Sequence, residues 1–81
     1  MDKNYILNDI TQIWKDILGI DEADVDESIF VLGGDSISIV TAVTAIQEKF
    51  GVVIDMTEMY EYDTLRGLAE LVFSQIEDRL E

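Results

Sequence analysis

The chain has 81 residues, of which 48% are hydrophobic and 28% charged, so it can form one modest core and lies outside the composition of disordered chains. It contains no Cys and no His, which excludes disulfides, thiolate metal sites, cysteine nucleophiles and any Ser-His-Asp triad. Five basic residues against 18 acidic ones give a formal charge of −13, unfavourable for binding nucleic acid or an anionic membrane face.

The N-terminus lacks the apolar core of a signal peptide, and no apolar run approaches the ~20 residues of a membrane span. These features predict a single domain over 1–81, in a cytoplasmic and monomeric protein without a metal site and without catalysis of its own.

Ile6, Ile10, Ile13 and Ile17 recur at helical spacing, with Leu7, Trp14 and Leu18 widening the stripe. They predict a first helix over about 4–18, ended by Gly19. From Ile20 to Asp35 neither helical nor strand period holds, and five of the seven residues from Asp21 to Glu27 are acidic. Such a long connection is expected to be functional or pinned by its own side chains. The apolar run Ile29 to Leu32 is the expected pin, with Phe30 and Leu32 pointing inward, so that Phe30→Ala would cost ~3–5 kcal/mol.

Gly33 and Gly34 then lead to Asp35 and Ser36, either of which can cap a helix over about 36–50. Ile39, Val43, Ile46 and Phe50 form its inner face, and Gly51 is its stop. Val52, Val53 and Ile54 have strand character but no visible partner strand, and are read as an extended, partly buried connection. Thr57 to Tyr62 suit a short helix. Asp63 and Thr64 supply a cap for a last helix over about 64–80, with Leu65, Leu68, Val72 and Ile76 on one face. The fold class is therefore all-α, a small four-helix bundle of three longer helices and one short one, centred on Ile10, Ile13, Ile17, Val43, Ile46, Leu68 and Val72.

The local feature with chemical meaning is Leu32-Gly33-Gly34-Asp35-Ser36-Ile37, where the long loop meets a helix N-terminus. Unpaired N–H groups and the helix dipole there suit a phosphoester on Ser36. An N-cap serine is the plainer alternative. A calcium loop through Asp24, Asp26 and Ser28 fails because Ile29 stands where glycine is required. A serine-hydrolase elbow fails for want of the following glycine and of any histidine. Met56, Met59, Tyr60 and Tyr62 suit either a binding patch or the core.

The stretch Phe30, Leu32, Gly33, Gly34, Asp35, Ser36 and Ile37 resembles the attachment site of phosphopantetheine carrier proteins, in particular the peptidyl carrier (thiolation) domains of nonribosomal peptide synthetases. Val31 stands where that family usually has an acid. Gly51-Val52-Val53-Ile54, Met59-Tyr60-Glu61 and Thr64, Leu65, Leu68 and Ala69 continue the likeness, with Asp63 in place of a common proline.

The resemblance implies an acyl-carrier-protein-like fold and a covalent 4'-phosphopantetheine from coenzyme A on Ser36, flanked by Gly34, Asp35 and Ile37. It implies a carrier that holds an aminoacyl, peptidyl or acyl thioester for separate enzymes. The implied partners are a phosphopantetheinyl transferase and adenylating, condensing or tailoring enzymes. A chain beginning at Met and ending at Glu81 suggests a freestanding carrier. The alternatives are a fatty-acid or polyketide acyl carrier protein, or an unmodified acidic helical module that binds a partner. The helix after Ser36 has its only charges, Glu48 and Lys49, at its far end. Docking is therefore expected through Ile37, Val40, Thr41, Met59 and Tyr60 rather than through charge.

Overall fold

In the computed structural model, which describes residues 2–33 and 35–80, the order of elements is α1 (Lys3–Leu18), α2 (Ile29–Leu32), α3 (Ser36–Phe50), α4 (Met56–Glu61) and α5 (Leu65–Leu80). The three long helices lie where the hydrophobic period places them. Gly19 and Gly51 end α1 and α3 in the left-handed conformation, with φ of 69° and 65°, and their N–H groups close the last turns onto Lys15 and Gln47. α1 packs against both α5 and α3.

The core comprises Ile6, Ile10 and Trp14 of α1, the inner face of α3 from Ile39 to Phe50, and Leu65, Leu68, Ala69, Leu71 and Val72 of α5. Each such large side chain, fully withdrawn from water, contributes ~1.5–3 kcal/mol. Ile13 and Ile17, expected at the centre, are only partly buried and pack on its edge. Trp14 takes the inward position between them, because the stripe on α1 is wider than the surface its neighbours cover.

The predicted four helices are joined by a fifth element, the single turn α2, within the stretch read as loop. Ser28 caps it by accepting the Phe30 N–H. One helical turn brings Ile29, Leu32 and Gly33 to the same side. Ile29 is fully buried, whereas Phe30 is 37% exposed. The pin is therefore Ile29, and the expectation that Phe30 anchors the loop is corrected.

The loop is further tied to the start of α5. Ile29 donates its N–H to the Asp63 carbonyl, the Arg66 N–H goes to the Val25 carbonyl, and Ser28 pairs with Thr64 as an isolated antiparallel bridge. The Arg66 guanidinium closes the same seam on Asp26 at 2.7 Å. Thr64 caps α5 as expected, its Oγ1 accepting the Gly67 N–H.

The 52–54 segment is extended, with Val52 and Ile54 buried and Val53 exposed. Side-chain amides do the work of an absent strand. Gln75 bonds both the N–H and the carbonyl of Val53, and Gln47 accepts the Ile54 N–H. Arg79 adds bonds from its guanidinium to the carbonyls of Phe50 and Gly51, which satisfies the exit of α3. Among the described residues no helix is long and apolar enough to cross a membrane.

Candidate functional site: Ser36 and its apolar face

Ser36 is the first residue of α3 and is exposed. What places it there is the packing behind it. Gly33 is buried at φ −87° and ψ −15°, a conformation open to any residue. Its glycine is required by space instead: a Cβ at this position would lie 2.5 Å from the Ile29 carbonyl oxygen, 2.9 Å from Cζ2 of Trp14 and 3.2 Å from Cγ1 of Ile39. Gly33 thus sits tight against the indole of α1. Gly34 lies outside the described residues.

Asp35, rather than Ser36, caps α3. Its Oδ1 accepts the Ser38 N–H at 2.8 Å. Hydrogen bonds from the Ser38 N–H and hydroxyl, and from the Ile37 N–H, hold the Asp35 carboxyl below the usual carboxylate range, because they favour its ionised form. The two serines are thereby sorted. Ser38 is half-buried with its N–H taken by the cap, and Ser36 is exposed on the surface.

Along α3 the residues next to Ser36 form an apolar surface. Ile37 is 77% and Val40 51% exposed, and Thr41 and Thr44 continue the face toward Glu48. Both threonine hydroxyls bond back to their own helix, Thr41 to the Ile37 carbonyl and Thr44 to the Val40 carbonyl, each at 2.8 Å. They turn their hydroxyls to the backbone, and the face is less polar than its sequence.

Across from it, the Tyr60 ring of α4 stacks on Phe30 of α2, with centroids 5.3 Å apart and planes 15° from parallel. Tyr60 remains 66% exposed, and Met56 and Val31 are exposed as well. Met59 is fully buried and is removed from the expected contact surface. The short helix sends Met59 into the core, where an unbranched side chain packs readily, while Met56 and Tyr60 stay exposed. The Phe30–Tyr60 pair escaped sequence reasoning. Its only prior signal was that Ile29 and Phe30 compete for one inward position.

Residues 8–72 match the family described as "Phosphopantetheine attachment site". The chain belongs to that family. Its members carry a covalently attached 4'-phosphopantetheine, and its relatives include bacitracin synthase 1 of Bacillus licheniformis, 31% identical over 72 residues covering 89% of this chain and 1% of that protein. A nonribosomal peptide synthetase, asaC, of Aspergillus flavus is 35% identical over 60 residues, 74% of this chain and 6% of that one.

The carrier thus spans only a small fraction of the curated relatives it matches. In three dimensions it is similar to BlmI, a type-II acyl-carrier-protein from Streptomyces verticillus involved in bleomycin biosynthesis. The TM-score is 0.82 at 24% identity, with 91% of this chain and 89% of that chain covered, a likeness of fold. The carrier is of the peptidyl carrier type in sequence and acyl-carrier-protein-like in fold.

Proposed function

We propose that Ser36 is the residue to which phosphopantetheine is attached, and that the chain, a single domain over 1–81, presents an aminoacyl, peptidyl or acyl group to partner biosynthetic enzymes. The observation that carries this reading is the exposed Ser36 at the head of α3, within a family match that extends over residues 8–72. The arm, once attached, supplies a terminal thiol that holds cargo as a thioester.

The chain's own residues do the rest. Gly33 and the Trp14 indole behind it support the approach to α3, Asp35 fixes the first turn, and Ser36 offers its hydroxyl. The core runs from Ile6 to Val72, which supports one domain. Among the described residues no group of Asp and Glu is arranged to hold a metal ion.

Ile37, Val40, Thr41 and Tyr60 form the contact surface for partners, joined by Phe30 and Met56. The partners are a phosphopantetheinyl transferase and adenylating, condensing or tailoring enzymes. The uncharged face of α3 near Ser36 favours docking by small apolar contacts over docking by charge, and with it the peptide-synthetase type over the fatty-acid type. A monomer in the cytoplasm completes the proposal, since an exposed patch this close to the attachment residue must stay open to successive enzymes.

Incubation with coenzyme A and a broad-specificity transferase, followed by intact mass measurement, tests the assignment. One phosphopantetheine should be added to the parent and to Ser38→Ala, and none to Ser36→Ala. Addition to Ser36→Ala would overturn it.

A further inference from the structure

The N-terminus of α3 would ordinarily be a place for an anion to settle, because the first N–H groups of a helix lack intrahelical partners and carry partial positive charge. In this chain the Asp35 side chain takes one of them. The Ser38 N–H is bonded to Oδ1 of Asp35 at 2.8 Å, and the Ile39 N–H begins the intrahelical series on the Asp35 carbonyl at 3.2 Å. Beside Ser36, therefore, stands a bound negative charge rather than a vacant anion site.

We propose that Asp35 is a positioning residue that keeps the phosphodiester on Ser36 away from the first turn of α3, so that the arm leaves the surface unanchored. The proposal rests on Ser36 as the attachment residue. Two physical effects act together. Asp35 takes the Ser38 N–H, a donor that a phosphodiester would otherwise accept from, and its charge repels a second anion on the adjacent residue. A phosphodiester lodged on those amides would fix the first bonds of the arm against α3. With Asp35 in place the arm pivots at Ser36 and can reach enzymes that approach from different sides.

The experiment compares apo and loaded protein by proton–nitrogen and phosphorus NMR. Loading of the parent is first checked by mass, and its failure would remove the Ser36 reading itself. In the loaded parent the Ile37 and Ser38 amides should keep their apo positions and the phosphorus line should stay narrow. In Asp35→Gly, which retains a residue tolerated at an N-cap, both amides should move downfield on loading and the phosphorus line should broaden. Asp35→Asn keeps an acceptor oxygen on the amides and should follow the parent.

Movement of the Ile37 and Ser38 amides on loading of the parent itself would overturn the proposal. So would a loaded Asp35→Gly protein in which they stay put, or an Asp35→Asn protein that behaves like Asp35→Gly. The parent comparison needs no variant and decides even where Asp35→Gly is a poor transferase substrate.

Discussion

The two ends of α3 solve the same problem in opposite ways. At its C-terminus the exit is closed by Gly51, by Arg79 reaching from α5 to the carbonyls of Phe50 and Gly51, and by Gln47 and Gln75 holding the extended segment that follows. At its N-terminus the bond is short-range, from the Ser38 N–H to Asp35, and large apolar side chains, Ile37 and Val40, stay in water. One end is tied to the rest of the protein by side chains from α5, the other is capped from within and leaves its apolar side chains open. An end that satisfies its own backbone can leave its apolar side chains in water, and that is what the Ser36 end does.

The largest effect that would sharpen this contrast comes from two adjacent residues of α2. Ile29→Ala should destabilise the fold by about 2–5 kcal/mol, since it empties a fully buried site. Phe30→Ala should cost only about 1 kcal/mol, the scale of a stacked aromatic pair. Urea unfolding followed by the fluorescence of Trp14, the single tryptophan, measures both. Equal losses would mean that Phe30 is packed like the core after all.

Next in size is Gly33→Ala. The added Cβ meets the Ile29 carbonyl, Trp14 and Ile39, so a loss of about 1–3 kcal/mol is expected, with slower loading of Ser36 as the approach to α3 shifts. An unchanged melting temperature would show that the approach is looser than its contacts.

Ile37→Asp and Val40→Asp should divide stability from function. On the open face each is expected to change unfolding free energy by less than about 0.5 kcal/mol. Turnover with an adenylating or condensing partner should fall about tenfold or more, the equivalent of one lost apolar contact of ~1.4 kcal/mol. Full turnover by both variants would assign docking to another surface.

The smallest effect is on the acid side. Asp35 and Asp26 both have carboxyls held below their ordinary value of 3.8, Asp35 by the Ser38 and Ile37 donors and Asp26 by Arg66. A lowered folded-state pKa means that the folded protein prefers the ionised form. The stabilisation is therefore complete above 3.8 and is lost as pH falls through the lower folded values. Melting temperatures of Asp35→Asn between pH 5 and pH 3 should fall less steeply than those of the parent, by a small margin because the site is solvated. A steeper fall would reverse the sign assigned to Asp35.

The helices themselves were legible in the residues, because α1, α3 and α5 each present an apolar stripe at helical spacing and α1 and α3 end at a glycine, and these are local properties of the chain. The Leu32 to Ile37 stretch was legible for the same reason, as a run of neighbours with a recognisable order. Only the tertiary structure decided which side of each short element faces in. In α2 and α4 a single turn offers one or two inward positions, and adjacent residues of similar hydrophobicity compete for them. Ile29 took the place expected for Phe30, and Met59 went to the core while Met56 and Tyr60 stayed outside. Asp35 and Ser36 were equally good caps by composition. The structure gives the cap to Asp35, whose Oδ1 takes the Ser38 N–H, and leaves Ser36 exposed, while Gly33 lies where a Cβ would meet Trp14, a neighbour far off in the sequence that only the tertiary fold brings there.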